Sequence, residues 1–167
     1  GYVQSILEYL KIPYTHSGVV ASSLAMDKEL SRRIFTKNHL LVPKYFCFKK
    51  NNVTDLEKKI KIKKIKFPIV IKPTNEGSSL GVYICENSKQ LRENFKKLIN
   101  QYNRILVEKY IPGKEIQVAV MGESVLGAIE LVPKRKFYDY KAKYSEEAQT
   151  KHIMPARLSI KKYKEVL

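Results

Sequence analysis

The sequence predicts an α+β (α/β mixed) fold. Segments with apolar residues at helical spacing are interleaved with short β-branched runs framed by proline, a pattern shared by α+β and α/β architectures. Two alternating runs, 115–121 and 124–132, face each other across Gly122-Glu123, as in a hairpin, which is antiparallel by construction. At 167 residues the chain is long enough for one core or two small ones.

Taken in order, Val3, Ile6, Leu7 and Leu10 predict a first helix, closed by Ile12-Pro13 because proline disfavours helix at the residue before it. Residues 15–18 read as a loop. A second helix is expected from Ser22 or Ser23, both good caps, with Met26, Leu30 and Ile34 on one face and an end near Asn38-His39. Lys44 to Phe48 reads as a strand and Thr54 to about Lys61 as a short helix. Phe67 to Pro73 reads as a buried strand, 74–81 as a Gly/Ser loop, and Val82 to Cys85 as a strand. Asn87 and Gln90 form a capping box for a helix whose Leu91, Phe95, Leu98 and Ile99 share a face. Arg104 to Glu108 is a strand, Pro112-Gly113 a turn, and the hairpin follows. From Pro133 to about Lys151 no period exists, so a long loop is expected, and a last helix begins at Ser159. No internal repeat is present.

Composition narrows the class. The chain is 44% hydrophobic and 29% charged, too apolar for a disordered segment. Its best apolar run, Phe67 to Ile71, falls far short of the roughly 18–20 residues of a membrane span. The first residues lack the basic and continuous apolar regions of a signal peptide. Cys47 and Cys85 form no C-x-x-C pair and lie in apolar runs, which points to reduced thiols and a cytoplasmic setting. His16, His39 and His152 are scattered, without zinc spacing. The formal net charge of +16 suits an anionic partner or merely a lysine-rich surface. Of 32 cations only six are Arg, against the arginine forks that read bases. The run from Lys58 to Lys66, KKIKIKKIK, reads as one face of a surface element, its isoleucines interrupting the charge.

Certain residues stand out chemically. Lys72 ends an apolar strand, where a lysine is costly unless paired with an anion or able to snorkel to water. The following Glu76-Gly77-Ser78-Ser79-Leu80-Gly81 has the composition of a backbone nest for phosphate, although it is neither a Walker A loop nor G-x-G-x-x-G, and a plain hairpin loop looks the same. Lys28 is a second candidate cation, or a surface lysine. Glu108, Lys109, Tyr110 and Ile111, with Glu115 beyond, form a strand end able to read a base and ribose, or an ordinary edge entering a turn. Phe137 to Tyr144 concentrates three tyrosines and two lysines on the long loop, a composition suited to binding, nucleic acid included.

In this order the segments resemble the D-alanine–D-alanine ligase family of the ATP-grasp superfamily. The resemblance runs through IPYTHSGVVASSLAMDK, FPIVIKPTNEGSSLGV, ILVEKYIPGKEIQVAVMGE, FYDYKAKY and MPARL, nearly the whole chain. It implies an ATP-grasp fold, in which two α+β subdomains grip ATP, here incomplete. Residues 1–20 would be the remnant of an N-terminal domain, 21–107 the central subdomain with the glycine-rich loop, and 108–167 the start of the C-terminal subdomain with its ω-loop. By the same resemblance Lys28 and Lys72 hold ATP phosphates. Glu76, Gly77, Ser78, Ser79 and Gly81 supply the lid over the β- and γ-phosphates, and Lys143 contacts the γ-phosphate. Glu108, Lys109, Tyr110 and Ile111 surround adenine, Glu115 takes the ribose, and Ser78 and Tyr144 meet across the D-alanine subsites. A tyrosine at 144 goes with the dipeptide, and a phenylalanine there with D-lactate as second substrate. His16 departs from the glycine common in the family.

The implied reaction phosphorylates one D-alanine on its carboxylate; the amine of a second D-alanine then displaces phosphate, giving a peptidoglycan precursor for cell-wall synthesis. Lysines and Mg²⁺ (or Mn²⁺) spread the charge of the transferring group, and the 76–81 and 137–150 loops keep water from the acyl phosphate. The family's metal ligands are expected downstream of Leu167 and its first D-alanine glutamate upstream of Gly1. The chain by itself is therefore expected to bind nucleotide weakly and to lack ligase activity. The expected partners are D-alanine and ATP, with no nucleic acid and no membrane; a homodimer stays open for the full-length enzyme. Two other readings remain: a D-alanine–D-lactate or other carboxylate–amine ligase, and a basic nucleic-acid-binding module using KKIKIKKIK and the tyrosine-rich loop.

Overall fold

Four short apolar segments pair into one antiparallel sheet in a computed structural model that describes residues 1–50, 56–133 and 150–167. Strands β1 (Tyr45–Lys49), β2 (Ile69–Pro73), β3 (Tyr83–Cys85) and β4 (Arg104–Lys109) lie in the order β1-β4-β2-β3. Each neighbouring pair is antiparallel, which selects α+β over α/β. Helix α5 (Ser88–Gln101) covers this sheet with Leu91, Phe95 and Leu98, spaced i, i+4, i+7 as predicted and all buried. Burying each contributes about 1.5–3 kcal/mol. Phe48 lies edge-on to both Phe46 and Phe95, with centroids 5.3 and 5.1 Å away. The predicted cap of α5 is present: Asn87 Oδ1 accepts from Gln90 N at 3.0 Å. The return bond goes to Gln90 from the N–H of Glu86, one residue upstream of the usual capping box.

The helices before the sheet depart from expectation. Helix α1 (Tyr2–Tyr9) forms where predicted. The single helix expected from Ser22 or Ser23 to His39 is two helices, α2 (Val19–Met26) and α3 (Lys28–Lys37). Asp27 breaks it. Its backbone is extended (φ −96°, ψ 105°), and Oδ1 accepts the N–H groups of Glu29 and Leu30 at 2.9 and 3.1 Å. An aspartate that caps the following turn competes with continuing the preceding one. Met26, Leu30 and Ile34, read as one apolar face, stay at least a third exposed.

Helix α4 (Leu56–Ile62) carries the lysine-rich run; Thr54, its expected start, lies outside the described residues. Ile60 and Ile65 enter the core while Ile62 is exposed. Lys59 Nζ sits 4.5 Å from the Phe48 ring centroid. The run is thus mainly a solvated face with two apolar anchors.

All of these elements belong to one compact unit, Gly1–Ile111; Pro112–Leu167 form a second. The second unit contains β5 (Glu115–Met121), β6 (Ser124–Val132) and β7 (Lys151–Ile153), antiparallel in that order, and α6 (Ile160–Val166). The predicted hairpin turns at Gly122, whose φ of 59° suits glycine. β7 begins at Lys151, where the segment read as loop ends, and is a strand the sequence does not predict. Three residues with two polar, exposed side chains carry no period to read. Ser159 caps α6, accepting from Lys162 N at 3.3 Å. Among the described residues no helix is long and apolar enough to cross a membrane.

Candidate functional site

Glu108 anchors a charged cluster in the first unit. It sits on β4, opposite Val70 of β2, and its neighbour Leu106 faces Lys72. Lys72 is therefore diagonal to Glu108 on one sheet face, within reach for two long side chains. Lys72 Nζ pairs with Glu108 Oε1. The sequence left Lys72 either paired or snorkelling; it is paired, with an anion of its own chain. Arg32, on α3, donates to the other oxygen, Oε2. Glu108 is buried, and only 17% of the Lys72 side chain and 13% of the Arg32 side chain are exposed.

Lys28 stands beside them because of the break at Asp27. As first residue of α3 it gives its N–H to Thr74 O at 2.9 Å, and its Nζ donates to the carbonyl of Glu76. It thus ties the helix start to the end of β2 and to the mouth of the 76–81 loop. Burial, then the Lys72 and Arg32 charges, pulls its pKa below the ordinary lysine value. Two cations share the Glu108 carboxylate, which leaves a surplus of positive charge there; Glu76 and Asp27 partly offset the charge around Lys28. Lys28 and Arg32 also edge an open groove of about 420 Å³ with mostly apolar walls.

Beneath the cluster, Arg104 of β4 bonds Asp27 Oδ2 at 2.8 Å and also Glu29. Burial opposes ionisation of Asp27, but the N–H groups of Leu30 and Glu29 and the Arg104 guanidinium outweigh it and hold the carboxyl below its usual range. The same α3 start faces Cys47, whose thiol is pushed up to about 12 by burial and by Glu29. That thiol is protonated at neutral pH, so it is no nucleophile. Cys85 is buried, and both thiols are free.

In the 76–81 loop Ser78 and Ser79 are both left-handed (φ 49° and 61°), an uncommon conformation for non-glycine residues. The N–H groups of Leu80 and Val82 close turns on Gly77 O and Ser79 O. Gly77 has open space around it. Gly81 does not: at φ 67° a Cβ would lie 2.9 Å from Pro73 Cγ, so a side chain there is both strained and crowded.

The other sequence-predicted residues lie at the end of β4, in the second unit, or outside the described residues. Lys109 gives its N–H to Lys44 O, so only its carbonyl remains to meet a base. Tyr110 N–H donates to Pro68 O, and Ile111 is exposed. Glu115 opens β5 in the second unit and is exposed. Lys143 and Tyr144 lie outside the described residues. Sequence reasoning missed Arg32; the available signal was its i, i+4 spacing from Lys28, which puts both on one helix face. It also missed Glu130 on β6. This buried carboxylate accepts from Arg157 N, Nε and Nη2 at 3.0–3.1 Å and lies 3.3 Å from Lys114 Nζ.

The donor set suits a polyphosphate. It does not suit a metal: among the described residues no group of three or more His, Cys, Asp or Glu could hold one.

Known proteins are similar to this chain in sequence and fold. A D-alanine–D-alanine ligase from Pelagibacter ubique (strain HTCC1062) is 58% identical over 160 residues, 95% of this chain and 52% of that protein. The crystal structure of D-alanine–D-alanine ligase from Bacillus anthracis superposes with a TM-score of 0.80 at 30% identity, over 99% of this chain and 53% of that one. Its complex with ATP gives 0.77 at 25% identity, over 99% and 51%. The VanG D-Ala:D-Ser ligase from Enterococcus faecalis gives 0.83 at 28% identity, over 99% and 49%. The chain spans about half the length of the curated relatives it matches. The α+β architecture is that of the ATP-grasp ligases. The family model for the D-ala D-ala ligase C-terminus matches residues 34–167, and the chain belongs to that family.

Proposed function

We propose that this chain forms the nucleotide-holding part of an ATP-dependent D-alanine–D-alanine ligase. One observation carries the reading: Lys72 and Arg32 pair with a single carboxylate, Glu108, and Lys28 reaches the glycine-rich 76–81 loop beside them. Surplus positive charge in a partly buried site stabilises a polyanion, and a neighbouring carboxylate can take a base amine. The solved ATP complex of the Bacillus anthracis relative supports the choice of nucleotide.

In this reading Lys28 and Lys72 hold the phosphates, and the 76–81 loop covers them. Glu108 accepts the adenine amine, with Lys109, Tyr110 and Ile111 around the base and Glu115 toward the ribose. Lys143 approaches the γ-phosphate, and Ser78 and Tyr144 serve the D-alanine side. The γ-phosphoryl group passes to the carboxylate oxygen of the first D-alanine and ADP leaves. The deprotonated amine of the second D-alanine attacks the acyl carbon, forming the amide bond while phosphate departs with the C–O electron pair. The lysines oppose the charge of the transferring group, and exclusion of water protects the acyl phosphate. In the family the nucleotide is used with Mg²⁺, which would neutralise phosphate charge; the described residues offer it no ligand set. Tyr144 assigns D-alanine rather than D-lactate as second substrate. Cytoplasmic placement fits the two free thiols.

The test is phosphate release and product analysis with ATP and D-alanine, on this chain and on the whole open reading frame that encodes it. D-alanyl-D-alanine formed by the latter, and lost on Lys72→Ala, supports the reading. A D-lactate or D-serine product moves it to a sibling ligase. Absence of nucleotide binding by both proteins overturns it.

A further inference from the structure

The two oxygens of Glu108 are held by different cations on different elements. Lys72, on β2, pairs with Oε1; Arg32, on α3, pairs with Oε2. The two holders are unequal. A lysine ammonium is a point charge on a flexible stem, and Lys72 is also the residue proposed to follow the phosphates. It cannot lie on Glu108 and on a phosphate with equal strength. The Arg32 guanidinium is planar and fixed from several sides. Its Nη1 donates to the Lys28 carbonyl at 3.4 Å, its carbon lies 5.6 Å from the Tyr45 ring centroid, and its Nη2 is on Glu108. Tyr45 is itself the cross-strand partner of Glu108. The side chain is held this way although its buried Nε has no partner among the described groups.

We propose that Arg32 is the positioning residue that gives this site its preference for adenine. It grips Glu108 by Oε2 and fixes the carboxylate plane. When Lys72 moves to the phosphates, Oε1 is left as the acceptor for the exocyclic amine of the base. This rests on the reading of Glu108 as the adenine contact. Its neighbour on the same helix does not share the role: Arg33 is two-thirds exposed and pairs with Glu29 instead.

The test compares ATP with purine riboside 5′-triphosphate, which has the same phosphates and no exocyclic amine, by calorimetric titration. The wild-type chain is expected to prefer ATP by about tenfold, the worth of one charge-assisted hydrogen bond. Arg32→Met should remove that preference: both nucleotides lose the cation's pull on the phosphates, and ATP loses about tenfold more than the analogue. Arg32→Lys, which keeps the charge without the fork, should bind the analogue normally and lose most of the preference. Arg33→Met should bind as wild type. Equal loss of both nucleotides in Arg32→Met, or wild-type discrimination in Arg32→Lys, overturns the proposal. If Arg32→Met does not fold, the lysine variant alone decides. Equal wild-type affinity for the two nucleotides removes the adenine role of Glu108, and this proposal with it, while sparing the phosphate reading. No binding of either removes both.

Discussion

Lys28 owes its chemistry to what surrounds it. Burial, Lys72 and Arg32 all disfavour its charged form, so its pKa lies below the ordinary 10.5. The fold gains stability as pH rises through the lowered value, because the unfolded chain then binds the proton that the native chain has lost. A polyphosphate favours the charged form and draws the proton back. ATP affinity is therefore expected to fall at alkaline pH before an ordinary lysine titrates, by up to about tenfold per unit. Calorimetric titrations from about pH 7 to about pH 10 check this. Lys28→Arg, which stays charged, should keep its affinity across that range; an identical decline in both proteins assigns the effect elsewhere.

At the scale of elements, two devices place the charged groups. In the first unit Asp27 ends α2 and starts α3, and Arg104 locks that junction to β4. In the second unit Glu130 joins β6 to the segment around Arg157 and to Lys114 ahead of β5. The side-chain bonds from Arg157 hold Glu130 far below the usual range, at about 2, with its N–H and Lys114 assisting. A carboxylate depressed in the fold stabilises it above the unfolded value of 4.5, and the contribution disappears as pH falls toward 2. Thermal melts followed by circular dichroism should show wild type losing stability faster than Glu130→Gln between those limits. Parallel acid profiles of the two would deny Glu130 this role.

For the whole molecule, the division into two units carries an unequal core. The cluster formed by Phe48, Ile69, Ile71, Phe95, Leu98 and Val107 lies wholly within Gly1–Ile111. Among the described residues of the second unit the buried apolar side chains are Ala128, Leu131 and Ala156. Residues 1–111 produced alone are expected to melt cooperatively and to keep triphosphate binding through Lys28 and Lys72. Residues 112–167 alone are expected not to, since so small a core cannot offset chain entropy. A noncooperative melt of the longer piece would show that its sheet needs the remainder. The net charge of +16 acts at this scale too, but among the described residues Lys72 and Arg32 pair with Glu108 with Lys28 nearby, and the lysines of α4 largely face solvent.

Local chemistry was legible in the sequence wherever it is written in adjacent residues. The strand within FPIVIKP (Ile69–Pro73 in the fold), the glycine-rich loop, the Asn87 cap and the hairpin at Gly122 follow from side-chain shape and period alone. So did the candidacy of Lys28, Lys72 and Glu108, through motif order rather than contact. The break at Asp27 was not legible, because an aspartate inside an apolar period is compatible with both a surface helical residue and a cap. The tertiary structure decided it by setting Arg104 against that aspartate. Nor could the sequence choose between a paired and a solvated Lys72, or find Arg32. Those depend on tertiary placement: β4 runs between β1 and β2, which sets Lys72 beside Glu108, and the docking of α3 brings Arg32 onto the same carboxylate.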